Sequence, residues 1–187
     1  MCNLSSPWTK KPPKKCGASS GRGNTTPATR FITTPIIIIV NGKPQLISNG
    51  SKVCLAYDPL TGKEIWRVVY GGDSTISRPI FGDGLVYVNV GYKVGSSELW
   101  AVDPTGYGDI STTHVKWKIL KNIPIESSPI FVKRHIFAVD DRGTISCIDP
   151  KTGKFNWQRL FKGPFGASPI TADDTCIFLT NAAPASC

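Results

Sequence analysis

The sequence has no long apolar run. Its longest aliphatic stretch, Ile36 to Val40, falls far short of the roughly 20 residues that a membrane-spanning helix needs, so no transmembrane segment is expected. The first thirty residues are polar and hold no apolar core, so no signal peptide is visible. Cysteine occurs six times, as Cys2, Cys16, Cys54, Cys147, Cys176 and Cys187, with no CxxC pair and no matching histidine spacing. Zinc sites and thioredoxin-type chemistry are therefore unsupported. Cys54 and Cys147 lie within apolar runs and read as buried filler. No stretch carries a helical period with caps. No acidic residue precedes Asp58.

What is present points to short strands. Glycine and proline supply 18 and 15 of the 187 residues, a share that suits tight turns better than helices. The net charge of +9 suggests an anionic partner until it is located. Lys10, Lys11, Lys14, Lys15, Arg22 and Arg30 account for six of those charges and all fall in the first thirty residues. The basic signal thus belongs to a tail, and a nucleic-acid partner is not expected.

The chain repeats itself. TPIIIIV from Thr34, RPIFGDGLVYVNV from Arg78, SPIFVKRHIFAV from Ser128 and SPITADDTCIFLT from Ser168 each place a proline ahead of an apolar run. Pro35, Pro79, Pro129 and Pro169 are 44, 50 and 40 residues apart, while Asp58, Asp103 and Asp149 recur at 45 and 46. Within a unit the texture is β: Asp83-Gly84 signals a hairpin, and Trp66, Val68 and Tyr70 share one face by the two-residue period of a strand. About four short antiparallel strands in each 40 to 50 residues describe a β-propeller blade. The expected fold is therefore all-β, an incomplete ring of three full units and partial ones. Its repeats span 31–187, divided near 31–76, 77–126 and 127–166, with a partial unit at 167–187.

LAYDPLTGKEIW at 55–66 and CIDPKTGKFNW at 147–157 show what is repeated. Asp58 can accept N–H bonds from the turn that follows, Pro59 fixes a corner, and Gly62 supplies a left-handed conformation. The returning strand then presents Trp66, and in the later copy Trp157, wide rings expected to be buried in the gap between blades. Ala-x-Asp-x-x-Thr-Gly-Lys-x-x-Trp resembles the tryptophan-docking motif of propellers related to pyrroloquinoline-quinone (PQQ) enzymes. It stands complete as Ala56, Asp58, Thr61, Gly62, Lys63 and Trp66. The third unit has Asp149, Thr152, Gly153, Lys154 and Trp157, with Cys147 in place of alanine. The second keeps Ala101, Asp103 and Gly106, but Trp117 comes six residues late, which implies a longer loop. This resemblance covers about residues 31 to 180.

The family resembled includes periplasmic quinoprotein dehydrogenases and non-enzymatic, BamB-like scaffolds, so it implies a periplasmic or extracytoplasmic place. The docking motif is structural throughout it and indicates the fold, not the chemistry. Such propellers generally close with about seven or eight blades, so this chain is expected to be a fragment whose partners are a protein or the missing blades. A non-catalytic, BamB-like role is the first reading, with no cofactor. The alternative is a piece of a PQQ-dependent dehydrogenase, which would bring PQQ and calcium, a catalytic Asp, Glu and Asn ligands and, in many members, adjacent cysteines. No Cys-Cys pair occurs. Asp140-Asp141 and Asp173-Asp174 read as solvated turn residues, Glu64, Glu98 and Glu126 are isolated, and His114 and His135 read as surface loop. No catalytic, cofactor or metal residue is assigned.

The first thirty residues do not fit a blade. Read two bases later, degenerate codons for Ser6 to Gly17 permit Ala-Leu-Asp-Lys-Lys-Thr-Ala-Lys-Lys-Val-Trp, with the Asp forced. That Asp and Trp would lie 49 residues before Asp58 and Trp66. The tail is thus read as a frameshifted docking motif, against the alternative of a disordered tail.

Overall fold

The computed structural model describes residues 32–180, apart from 74, 75, 94, 95, 164 and 174. The basic tail, Cys2, Cys16, Cys187 and Asp174 lie outside the described residues. Fifteen strands and no helix make up what is described. The first sheet takes β1 (Ile36–Val40), β2 (Lys43–Asn49), β3 (Val53–Tyr57) and β4 (Glu64–Val69). The second takes β5 (Ile80–Gly82), β6 (Leu85–Lys93), β7 (Ser96–Val102) and β9 (Val115–Ile119). The third takes β10 (Ile130–Val132), β11 (His135–Val139), β12 (Thr144–Ile148) and β13 (Phe155–Leu160). Two strands, β14 (Ile170–Ala172) and β15 (Thr175–Ile177), form a fourth, half-built sheet. Each meanders antiparallel from its proline-led first strand, and the sheets do not close into a ring. The fold is the incomplete propeller that the repeat implies.

Local chemistry sets the hairpins. The β1–β2 and β5–β6 turns put Asn41-Gly42 and Asp83-Gly84 at positive φ, from 47° to 80°, the residue types that a two-residue hairpin turn favours. The β10–β11 turn does the same with Lys133 (46°) and Arg134 (60°), where a side chain on each residue costs about 1 kcal/mol or more. His135 begins strand β11 and is not a loop residue, which corrects the sequence reading. A register shift follows the same cross-strand pair in three sheets: Ala56–Trp66, Ala101–Trp117 and Cys147–Trp157.

The cores lie between sheets. Val86, Val88 and Val90 alternate on β6 and face the first sheet, where Trp66, Val68 and Ile110 join them. Tyr87, Leu99 and Ala101 point the other way, toward Ile136, Ala138 and Ile148 of the third. This two-residue alternation lets one sheet serve two cores. Between the third sheet and the half-built fourth, the buried cluster shrinks to Val139, Ile145 and Phe165.

The six extra residues before Trp117 have a structural use. Their loop sends β8 (Gly108–Asp109) to pair in parallel with β4, making the first sheet five-stranded. Ile110 N–H donates to Arg67 O at 2.9 Å, Ser111 Oγ accepts Val69 N–H at 2.8 Å, and Ile110 is buried. A longer loop is legible in the spacing; a strand lent to the neighbouring sheet is not.

Candidate functional site

The repeated turns at Asp58 and Asp149 have the same geometry. Asp58 Oδ1 accepts Leu60 N–H at 2.8 Å and Thr61 N–H at 3.0 Å; Asp149 Oδ1 accepts Lys151 N–H at 2.8 Å and Thr152 N–H at 2.9 Å. Lys63 N–H donates to Thr61 Oγ1, and Lys154 N–H to Thr152 Oγ1, both at 3.3 Å. Each turn closes through its glycine, Gly62 N–H to Asp58 O and Gly153 N–H to Asp149 O, with φ of 69° and 71°. The backbone N–H donors of Thr61 and Leu60 hold the Asp58 carboxylate below its ordinary range, and Thr152 leads the same effect at Asp149.

The Asp103 turn departs from this plan. Asp103 Oδ1 accepts Thr105 N–H and Oγ1–H, while its own N–H reaches across the long loop to His114 O. Burial pushes its pKa up, but the bonds from Thr105 and Lys116 together outweigh that and hold the carboxyl below its ordinary range. Gly106 is not in the left-handed region; a Cβ there would meet Ile110 at 2.6 Å and the His114 ring at 2.8 Å, so close packing demands the glycine.

The tryptophans occupy three different settings. Trp66 is fully buried, and its Nε1–H donates to Gln45 Oε1 at 2.9 Å. Gln45 Nε2–H in turn donates to Pro104 O, in the second unit's turn, at 3.3 Å. Trp117 reaches the third unit's turn directly: Nε1–H donates to Pro150 O at 2.9 Å, and a Cβ on Gly153 would lie 2.7 Å from the indole. Trp157 rests on Phe137, ring centroids 6.1 Å apart, but is 46 % exposed. The expectation that Trp157 is buried between blades is therefore corrected, because the fourth sheet has two strands and presents no such turn to it among the described residues.

The proline-led strands line a central cleft of about 760 Å³ that includes Thr34, Arg78, Ser128 and Ser168. A hydrogen-bond ladder runs round it: Arg78 N–H donates to Ser128 Oγ and Ser128 N–H to Ser168 Oγ, each at 2.9 Å. Thr33 and Ser127, which precede Thr34 and Ser128, turn inward. Thr33 Oγ1–H donates to Asn49 O and Ser127 Oγ–H to Val139 O. By strand register the corresponding acceptor for Ser77 is Asn89 O, which Asn49 Nδ2–H already occupies at 2.7 Å. Ser77 Oγ is left buried without a partner.

Remaining candidates are dispersed. Asp140 is a turn residue, yet it is buried and accepts Arg142 and Thr144 N–H, which corrects its reading as solvated. Asp141 is exposed, and Asp173 stands at positive φ in the β14–β15 turn. His114 sits in the long loop against Thr113. Cys54 and Cys147 are buried, and burial pushes both thiols up, away from reactivity. Calcium takes about six to eight oxygen ligands, usually with carboxylates. The cleft offers hydroxyls, aliphatic side chains, the rings of Phe81 and Phe131 and one guanidinium but no carboxylate, and no cluster of three His, Cys, Asp or Glu occurs among the described residues. These residues do not fit a calcium-bound quinone. Gln45, the proline carbonyls and the serine ladder were not singled out from sequence; only the hydroxyl before three of the four prolines hints at them.

Radial four-stranded sheets, with turn and tryptophan contacts between neighbours, define a β-propeller repeat protein. A family model described as outer membrane protein assembly factor BamB matches residues 56–184. The chain belongs to this PQQ-like propeller family. Solved structures agree on the fold. BamB from Moraxella catarrhalis is 17 % identical with a TM-score of 0.58, the match covering 76 % of this chain and 45 % of that one. Quinohemoprotein alcohol dehydrogenase ADHIIG from Pseudomonas putida HK5 is 12 % identical with a TM-score of 0.56, covering 76 % and 33 %. The computationally designed Ika4 protein is 16 % identical with a TM-score of 0.58, covering 81 % and 86 %. The chain thus spans less than half the length of the two natural proteins. Among curated proteins none matches.

Proposed function

We propose that this chain is a non-catalytic propeller segment, part of a larger extracytoplasmic scaffold or binding protein of the BamB-like kind, in which the repeated motif is a docking device. One observation carries the reading: the repeated carboxylates Asp58, Asp103 and Asp149 each accept N–H bonds from their own turns, and the cleft at the axis has no carboxylate of its own. Acid–base or metal chemistry needs such groups directed at a substrate. The residues that repeat instead join one blade to the next, as Trp117 and Gly153 do. The likeness to BamB is consistent with a protein partner, and the basic tail gives no ground for nucleic acid.

Calorimetric titration of the full chain with PQQ and calcium is the test. No saturable heat is expected. A stoichiometric, calcium-dependent heat would replace this reading with the dehydrogenase one. Flanking coding sequence gives a second test: further docking motifs without quinone ligands support the scaffold, whereas adjacent cysteines with calcium ligands overturn it.

A further inference from the structure

Two positions that hold apolar residues in the earlier gaps hold cysteines in the gap between the third and fourth sheets. Val86, Ile136 and Cys176 are equivalent. Each is the second residue of its sheet's second strand, in the cross-strand pairs Phe81–Val86, Phe131–Ile136 and Thr171–Cys176. Ala56, Ala101 and Cys147 are equivalent in turn, each paired with its motif tryptophan. In the first gap Ala56 and Val86 belong to one buried cluster, and in the second Ala101 and Ile136 belong to another. The third gap has cysteine at both positions together, as Cys147 and Cys176.

Two further observations set these thiols on facing surfaces. Residues directly opposite each other on neighbouring antiparallel strands share a face, so Cys147 lies on the same face as Phe137 and Trp157. Phe137 and Trp157 line a cavity of about 450 Å³, and Cys176 lines it from the fourth sheet. Burial pushes the Cys176 thiol up, the Cys147 thiol adds to that rise, and Lys133 opposes it, so the two sulfurs are near enough to act on each other. Both thiols are free in the structure.

We propose that Cys147 and Cys176 are a redox pair that closes a disulfide between the third and fourth sheets. A bridge needs Cα atoms within about 7 Å, and the motif position carries only alanine or cysteine, small side chains that let the next sheet approach. Cys176 is half-buried and starts the reaction. Its thiolate attacks a small-molecule disulfide such as oxidised glutathione, forms a mixed disulfide and releases one thiol. Cys147 then attacks the Cys176 sulfur and displaces the second. The cysteine pair gives up two electrons and two protons, and the oxidant departs as two thiols. Burial shields Cys147 from outside reagents but not from a sulfur in its own gap. The bridge encloses residues 147–176 and stabilises by constraining the unfolded chain. That restraint falls on the gap with the smallest buried cluster among the described residues. The pairing is independent of the non-catalytic reading above.

The test equilibrates the full chain with mixtures of oxidised and reduced glutathione, alkylates the remaining thiols and maps the peptides by mass spectrometry. Trypsin with chymotrypsin puts Cys147, Cys176 and Cys187 on different peptides, because Lys151 and Phe178 fall between them. The Cys147 and Cys176 peptides are expected to be joined under oxidising mixtures and separate after reduction. The oxidised chain should also unfold at a higher urea concentration than the reduced one. Cys147→Ala and Cys176→Ile restore the residues of the second gap, so both variants should fold, and neither midpoint should respond to glutathione. Cys147 and Cys176 alkylated separately at every ratio, or Cys176 joined instead to Cys187, overturns the proposal. So does a redox-dependent midpoint that persists undiminished in both variants.

Discussion

Replacing Trp66 and Trp157 separately by alanine asks whether the motif tryptophan is a wedge between blades. A tryptophan side chain buries about 150–250 Å², and at about 25 cal/mol per Å² that corresponds to about 4–6 kcal/mol as an upper bound. Trp66 is fully buried, so Trp66→Ala is expected to cost about 3–5 kcal/mol. It also removes the donor from Gln45, whose Oε1 then stays buried and unpaired. Trp157 keeps nearly half its surface in water, and its indole N–H has no hydrogen-bond acceptor among the described residues. Its burial term is about half as large, so Trp157→Ala should cost about 1–3 kcal/mol.

Urea denaturation followed by circular dichroism reads both values, provided the slope is unchanged between variants. The expected gap is about 2 kcal/mol, Trp66→Ala being the less stable. Trp66→Phe separates the two contributions: most of the ring remains, while the orphaned Gln45 acceptor costs about 1–3 kcal/mol. Equal destabilisation at the two sites, or a larger loss at Trp157, would refute the wedge argument, since the same residue type would then act independently of its burial.

Other consequences follow from the turns and the serine positions. Gly153→Ala should destabilise more than Gly62→Ala by denaturation, because both have positive φ but only the former drives a Cβ into an indole, at 2.7 Å. Ser77→Ala should be neutral or stabilising, whereas Ser127→Ala should cost about 1 kcal/mol, because only Ser127 has a hydrogen bond to lose. Arg134→Gly should raise the denaturation midpoint, relieving a left-handed side chain at the expense of an exposed ion pair to Asp83. Asp58 and Asp149 have folded values lowered from 3.8, so the unfolded chain takes up protons first as pH falls. Their stabilisation is complete above that value and lost as pH drops through the folded one; Asp58→Asn with Asp149→Asn should flatten the acid limb of the stability profile.

The fold was legible because two independent markers share one period. Proline led each first strand, and the Asp-to-Trp spacing marked the last two strands of a unit, so number, order and direction all followed. What the spacing did not contain was the third dimension of the second unit. Six extra residues before Trp117 read as a loop, and their β8 strand joins a sheet that the sequence assigns to another unit. Solvent exposure was also hidden. Trp66 and Trp157 look the same in sequence, yet burial depends on whether a complete sheet follows. Asp140 looks solvated because it sits beside Asp141 and Arg142, but its carboxylate accepts the N–H of Thr144, the first residue of β12, and is buried.

The interfaces between sheets are alike in plan and different in bonding, and that bears on how the arc behaves at its ends. A glutamine relays Trp66 to the next turn, Trp117 bonds directly, and Trp157 meets no turn among the described residues. At the opposite end, no indole of the described residues covers the Asp58–Gly62 turn: a Cβ on Gly62 would meet nothing within 4 Å, and Leu60 is 88 % exposed. Among the described residues one end thus offers a half-exposed ring and the other an exposed turn, the two halves of the contact already made between the second and third sheets. Contacts of that head-to-tail kind either close a ring or propagate into open chains of molecules, according to the rotation per step. Leu60→Asp puts a charge on that exposed turn, so the sedimentation profile at rising protein concentration should lose its larger species in this variant. If the larger species persist in Leu60→Asp, the turn is not the contact that drives association.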